Sequence, residues 1–294
     1  MIKKDENRQS RTEVLIEALP YIQKFRGHTF VIKYGGSAME DEHVVERLLK
    51  DVVFLEAVGI NPVVVHGGGK AITQKLHDAG IRSSFVNGLR VTDAQSIGLV
   101  QETLDGLVNP KIVQTLKSFG GHAKGFSGKD VFQAKKLPLQ QEGNKPPVDI
   151  GFVGEVVSVQ ADAIRADIAE EIVSVVSPLA LDADEQVLNV NADLAAGALA
   201  AELKATKMIY LSDVLGIMRD RNDPESLIPS VTREMIELLI KDEVIEGGMI
   251  PKVQSACAAL EAGVEKVHFI DGRIPHALLL EVFTTAGIGT EILP

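Results

Sequence analysis

From Thr29 to Gly69 the chain reads TFVIKYGGSAMEDEHVVERLLKDVVFLEAVGINPVVVHGGG, and this stretch decides the fold. Thr29-Phe-Val-Ile32 and Pro62-Val-Val-Val65 are continuous apolar runs, the pattern of strands buried on both faces of a parallel sheet. Between them, Asp41 to Val58 sets Val44, Val45, Leu48, Leu49, Val52, Val53 and Leu55 at helical spacing and stops at Gly59. Strand, helix and strand in immediate succession form a βαβ unit. A second such pattern comes late: helix Ala192–Leu203, strand Met208–Leu211, helix Lys252–Ala262, strand Val267–Ile270. Between residues 120 and 190 the texture changes to short, Gly-bounded β runs such as Val131–Ala134 and Phe152–Val159. The polar stretch Gln140–Pro147, with two prolines and a glycine, reads as a hairpin tip or mobile loop. The pattern predicts one continuous α/β sandwich in which the N-terminal half supplies one site and residues after about 185 the other.

Each of the first two strands runs into glycines. Lys33-Tyr is followed by Gly35-Gly36-Ser37, and His66 by Gly67-Gly68-Gly69 and then a helix, Lys70–Ala79. Without Cβ atoms, backbone N–H groups can approach a ligand closely, and a following helix N-terminus adds partial positive charge. A tight turn needs only one or two glycines. Two glycine loops at successive strand ends, with Lys33 before the first, point to anion binding. The P-loop pattern fails, because Val64 stands five residues before Gly69 and Ala71 follows Lys70. The dinucleotide fingerprint fails at Ile72.

Composition narrows the classes. The 294 residues carry 41 acidic and 30 basic side chains, a net charge of −11, so duplex nucleic acid is repelled. No Trp and 3 Tyr leave little for base stacking. The one cysteine, Cys257, cannot form an intrachain disulfide, which fits a reducing cytoplasm. The opening MIKKDENRQSRTE lacks the apolar core of a signal peptide, and the longest apolar run, Leu194–Ala201, is far below the roughly 18 residues of a membrane span. No two histidines lie within five residues of one another, so zinc ligation is not expected.

Further polar groups cluster in four places. Arg90, in Asn87-Gly-Leu-Arg90-Val-Thr92-Asp93, suits a carboxylate clamp, with a surface ion pair as the alternative. Asn189, Asn191 and Asp193 share one face of an extended stretch before an Ala-rich helix, where Asn191 or Asp193 could instead be its N-cap. Leu211-Ser212-Asp213-Val-Leu-Gly216 ends a strand at the edge where open α/β sheets bind ligands. Lys252, in Gly247-Gly-Met-Ile-Pro-Lys252, opens a predicted helix, where the dipole disfavours a cation.

Taken in order, these segments resemble the amino-acid kinase family, and within it the kinases acting on N-acetyl-L-glutamate. The motifs are Lys33-Tyr-Gly-Gly36, His66-Gly-Gly-Gly69, Asn87-Gly-Leu-Arg90-Val-Thr92, Gly151-Phe-Val-Gly154, Asn189-Val-Asn-Ala-Asp193, Leu211-Ser-Asp-Val214, Gly247-Gly-Met-Ile-Pro-Lys252, and Ile270-Asp-Gly-Arg273 with Pro275-His-Ala-Leu278. The resemblance implies a three-layer αβα sandwich with a mainly parallel central sheet. It implies an acyl-amino-acid lobe over residues 26–185, which also makes the dimer contacts, and an ATP lobe over 186–294. It places N-acetylglutamate on Gly68, Gly69, Arg90, Asn189 and Asn191, with Arg90 on the α-carboxylate. Nucleotide would lie against Gly35, Gly36, Ser212, Asp213, Val214, Gly216 and Lys252. Lys33 and Lys252 would flank the transferring phosphoryl group and Asp193 would hold both, with Mg²⁺ carried by ATP and no metal ligand from the chain. The acceptor carboxylate is already ionised near neutrality, so no general base is required. The chain departs from the family's pattern at Val131-Phe-Gln, at Gln140–Pro147, and at Gln101–Gly106, where the family has a more apolar helix.

Residues 1–25 predict a helix with Val14, Leu15, Ala18, Leu19 and Ile22 on one face, Thr12 as a cap and Pro20 as a kink. Arginine-inhibited family members have such a helix, which interlaces homodimers into a hexamer. The resemblance therefore implies a trimer of dimers inhibited by L-arginine through Gly287–Ile292, Glu281 and Lys204 or nearby residues. A PII-type protein regulates some relatives. The alternatives are a kinase for another carboxylate or a carbamate, and a non-catalytic arginine or nucleotide sensor. The presence of Lys33, Asp193 and Lys252 argues against the sensor.

Overall fold

The computed structural model describes residues 13, 16–36, 41–140, 143, 146–285 and 287–294. The elements run α1 (16–25), β1 (Thr29–Tyr34), α2 (Glu42–Ala57), β2 (Asn61–His66), α3 (Gly69–Asp78), β3 (Phe85–Val86), β4 (Leu89–Arg90), α4 (Ser96–Gln101), α5 (Asn109–Ser118), β5 (Ala123–Phe126), β6 (Phe132–Lys136) and β7 (Val153–Val159). They continue with α6 (Asp162–Ala169), β8 (Val173–Val176), β9 (Leu179–Leu181), β10 (Val187–Val190), α7 (Ala192–Glu202), β11 (Lys207–Ser212), β12 (Ser230–Thr232), α8 (Arg233–Lys241), α9 (Met249–Glu261), β13 (Lys266–Asp271), α10 (Ala277–Phe283) and β14 (Thr290–Leu293).

Eight strands form one sheet in the order β12-β14-β13-β11-β1-β2-β8-β5, parallel throughout except between β13 and β14. Period-2 alternation sends successive β1 residues to opposite layers. Val31 joins a core with Leu199, Ala200, Val253 and Ala256 of α7 and α9. Phe30, Ile32 and Tyr34 join a second core with Leu48, Val52, Ile112 and Leu278 of α2, α5 and α10. Two apolar layers on one buried sheet make the expected αβα sandwich. Lys33 falls on the Val31 face, and so toward α7.

The chemistry of the helix ends is legible in the residues. Asp41 caps α2 by accepting from the His43 N–H, and Gly59 takes φ +83° just beyond the last turn. The helix predicted from Lys252 begins three residues earlier, at Met249: Gly247 and Gly248 end the preceding turn, and Pro251 is accommodated in the first helical turn, where no N–H is required. The strands between residues 120 and 190 divide, with β5 and β8 extending the main sheet and β10, β7, β6 and β9 closing a small barrel. Gln140 and Val148 exchange two backbone hydrogen bonds, so the ends of the predicted hairpin tip are paired. Residues Glu102–Val108 join α4 to α5 as a π-helical stretch, so the polar segment that departs from the family pattern is also irregular in its backbone. Thr12, Val14 and Leu15 lie outside the described residues; α1 continues through Pro20, with Leu19 exposed and Ala18 and Ile22 half-buried. Among the described residues, no helix is long and apolar enough to cross a membrane.

Candidate active site

A cavity of about 630 Å³ opens at the carboxyl ends of β1 and β2, next to the barrel strands. Lys33, Gly36, Gly67, Gly68, Gly69, Arg90, Asn189, Asn191, Asp193 and Asp213 all line it. Sequence-distant segments thus converge where an open α/β sheet binds ligands.

Its charged centre is built on Asp193. The Lys252 ammonium donates to Asp193 Oδ2 at 2.7 Å, and Lys33 Nζ lies 2.9 Å from Oδ1, an ion pair whose angles fall short of a hydrogen bond. Asp193 is the second residue of α7, where the helix dipole favours a carboxylate. The Tyr210 and Ser255 hydroxyls, 2.7 Å from each other, both lie within hydrogen-bond reach of its carbonyl, tying the α7 terminus to β11 and α9. Burial alone would raise the Asp193 carboxyl, but the two ammonium groups hold it below the usual carboxylate range. Burial lowers Lys33, with Asp193 opposing the effect and Lys252 adding to it. Two cations sharing one anion leave a surplus of positive charge facing the cavity.

The glycines divide by cause. Gly35 and Gly67 meet backbone to backbone: a Cβ on Gly35 would stand 3.2 Å from the Gly67 N, and one on Gly67 3.3 Å from the Gly35 Cα. A Cβ on Gly68 would strike Leu104 at 2.6 Å. Gly69 has no such crowding, its only near neighbour being the Arg90 guanidinium at 4.0 Å. Close loop packing therefore accounts for several of these glycines, while Gly69 faces open space. Gly216 is likewise explained by packing, since a Cβ would stand 2.4 Å from Thr290 Oγ1.

Arg90 is buried, not a surface ion-pair residue. It donates to the Gly69 carbonyl at 2.8 Å, to Thr73 Oγ1 at 2.9 Å and to Ser83, and the Phe85 ring covers its guanidinium at 4.7 Å. Thr73, Ser83 and Phe85 went unremarked in the sequence; Phe85 pairs with Arg90 across the two-stranded β3–β4 ribbon, a register that a two-residue strand does not announce. Asn189 donates to Thr92 Oγ1 at 3.3 Å, joining the barrel to that ribbon. Asn191 caps α7, accepting from the Asp193 and Leu194 N–H groups, so the capping alternative holds for it while its residue still lines the cavity. Ser212 accepts from the Val214 N–H, and Arg273, paired with Asp271, donates to the Asp213 carbonyl at 2.7 Å. The loop after β11 is thereby fixed, and Asp213 reaches the cavity wall; Ser212, Val214 and Gly216 do not line it.

A second buried cluster lies on the opposite face of the sheet. Lys207 donates to His268 Nε2 at 2.9 Å, and His268 Nδ1 to Glu281 Oε1 at 2.6 Å. Glu281 Oε2 accepts from the Ile288 and Gly289 N–H groups. The lysine that meets Glu281 is thus Lys207 and not Lys204, which sits exposed at φ +48° in the turn after α7. The Lys207 ammonium also lies 5.3 Å above the Phe25 ring at the end of α1.

The model of the amino acid kinase family matches residues 28–271. An acetylglutamate kinase of Akkermansia muciniphila is 52% identical over 96% of this chain and 95% of its own length. That of Heliobacterium modesticaldum is 48% identical over 95% and 97%. Among solved structures, N-acetylglutamate synthase from Neisseria gonorrhoeae superposes with a TM-score of 0.83 in its complex with coenzyme A and N-acetyl-glutamate, at 27% identity. Its complex with coenzyme A and L-arginine gives 0.78 at 26%. Both cover 96% of this chain, which spans 63% and 65% of those longer chains. The chain belongs to the amino acid kinase family, and within it groups with the acetylglutamate kinases.

Proposed function

We propose that the chain transfers the γ-phosphoryl group of ATP to the γ-carboxylate of N-acetyl-L-glutamate. The products are N-acetyl-L-glutamyl 5-phosphate and ADP, and the reaction is the second step of arginine biosynthesis, carried out in the cytoplasm. The observation that carries this reading is that Asp193, in the cavity wall with Lys33 and two glycine loops, holds both Lys33 and Lys252. The curated relatives support the choice of acceptor.

The acceptor carboxylate attacks phosphorus and the ADP oxygen leaves with the bond electrons; no proton moves, so no base is needed. Arg90, anchored by Gly69 and Thr73, holds the acceptor's α-carboxylate, with Gly68, Gly69, Asn189 and the residue of Asn191 around the rest. Lys33 and Lys252 face the oxygens of the transferring group, where charge spreads in the transition state. Asp193 keeps the two ammonium groups from repelling each other and fixes their separation. Gly35 and Gly36 with the loop from Ser212 to Gly216 form the nucleotide side, so acceptor contacts fall within residues 26–185 or just beyond, and nucleotide contacts within 186–294 apart from those two glycines. Among the described residues, no group of three or more His, Cys, Asp or Glu could hold a metal ion. Magnesium would be carried by ATP's phosphates, with Asp213 the further carboxylate in the wall. When bound it neutralises phosphate charge. A coupled assay of ADP release tests the reading: N-acetylglutamate should be turned over at least tenfold more efficiently than free glutamate or aspartate, and parity would reject it.

We extend the reading to feedback control. The Lys207–His268–Glu281 cluster beside Gly287–Gly289 offers a carboxylate and backbone groups to a guanidinium or amino ligand, close to Phe25 of α1. The synthase structure complexed with coenzyme A and L-arginine supports arginine as that ligand. Ile16 and Leu19 leave α1 with exposed apolar surface, which supports its packing against a second dimer in a hexamer.

A further inference from the structure

His66, the residue before the three glycines, is fully buried between the Asn109 amide at one ring nitrogen and the Gly67 carbonyl at the other, and these settle its tautomer. The Asn109 amide nitrogen donates to the Val175 carbonyl at 2.9 Å. A carbonyl cannot donate, so this bond fixes which way the Asn109 amide points. The same nitrogen stands 3.2 Å from His66 Nε2, which must therefore accept and carry no proton. The proton of the neutral ring then sits on Nδ1, 2.7 Å from the Gly67 carbonyl, to which it donates. Burial, outweighing the Gly67 bond and the more distant Asp105, pushes His66 down to about 4, in keeping with a neutral ring. The Gly67 N–H is itself spent on the Tyr34 carbonyl at 2.6 Å.

We propose that His66, set by Asn109, is a positioning residue that aims the Gly68 N–H at the reacting phosphoryl group. In a planar trans peptide the C=O of Gly67 and the N–H of Gly68 point in opposite directions. Fixing the carbonyl against the imidazole turns that N–H away from the interior, at a residue that lines the cavity. Gly68 also precedes α3, and Leu104 closes over its Cα, so no side chain there could share the task. The glycine loop gains a preorganised donor from a side chain that never touches substrate. The kinetic part of this rests on the phosphoryl-transfer reading above; the tautomer does not.

Two measurements test it on the full-length chain. With ring-¹⁵N histidine, long-range ¹H–¹⁵N correlation at pH 7 should show, besides that of His268, a neutral imidazole protonated on Nδ1 that is unchanged down to pH 5.5 and missing from His66→Asn. A His66 signal of the Nε2–H or cationic form overturns the proposal whether or not the chain proves to be a kinase. In His66→Asn the amide nitrogen takes the place of Nδ1 and keeps the Gly67 bond; in His66→Gln the amide reaches only toward Asn109. Asparagine should keep kcat within about threefold, and glutamine should lose about 10–100-fold in kcat with both KM values within about threefold. Equal kcat in the two variants, or a loss confined to KM, overturns the positioning role. If glutamine fails to fold, Asn109→Leu serves: it leaves His66 Nε2 without a donor, the same kcat loss is expected, and an unchanged kcat overturns the positioning role.

Discussion

Two buried lysine–carboxylate clusters sit on opposite faces of one sheet, and they differ in how their charges balance. Around Asp193, two ammonium groups share one carboxylate, and the cluster opens into the cavity. Around Glu281, one ammonium meets one carboxylate through a histidine, and two backbone N–H groups satisfy the remaining oxygen. The first leaves positive charge uncompensated and so awaits an anion. The second is neutral as it stands, and a ligand enters it only by displacing a partner. Burial of charge alone does not mark a reaction centre; surplus charge facing open space does.

Perturbing each side should separate them. Lys252→Ala removes the surplus charge and is expected to lower kcat by about 10²–10³-fold while ATP affinity changes by less than about fivefold, measured by initial rates and nucleotide titration. Unaltered turnover would make the two clusters equivalent. Asp193→Asn leaves a buried and a half-buried ammonium group, those of Lys33 and Lys252, without their counter-charge and should cost about 3–5 kcal/mol in urea unfolding. Glu281→Gln keeps an acceptor for the Ile288 and Gly289 N–H groups and should cost only about 1–3 kcal/mol. Equal costs would break the distinction.

The third test uses pH. Burial brings Lys207 down to about 8, below its unfolded value. Between about pH 8 and 10 the unfolded chain binds more protons there, so this residue makes stability rise with pH, by up to about 2–3 kcal/mol. Lys207→Met should flatten that slope relative to the unsubstituted chain; parallel curves would show the ammonium to be unstrained. The smallest effect is expected from deleting residues 1–19, which spares Phe25. The arginine concentration for half inhibition should rise at least tenfold and light scattering should fall from hexamer to dimer, with kcat unchanged.

The sheet was legible because TFVIKY and NPVVVH are apolar on both faces, and the active cluster because Lys33, Asp193 and Lys252 each stand at the end of a predictable element. What was not legible depends on packing between distant segments. No spacing relates Lys207 to His268 and Glu281, which meet only when β11, β13 and α10 come together, and Lys204 was the nearer guess by sequence alone. Nor does the sequence announce that Gly35 and Gly67 need each other's missing Cβ atoms.

The π-helical stretch Glu102–Val108 bears on how the chain can change length. A widened turn of this kind takes up an extra residue without rotating the helix beyond it, whereas one residue added to or lost from a regular α-helix turns everything downstream by about 100°. Val100 on one side and Asn109, Ile112 and Leu116 on the other must all keep facing the core. Gly106 and Leu107 are exposed within the widened turn. Loss of one residue there can be absorbed by a return to α-helical winding, while the same loss in α5 carries Asn109 off His66. Insertions and deletions in this helix therefore have one tolerated address, and it lies against the glycine loop, where Leu104 covers Gly68.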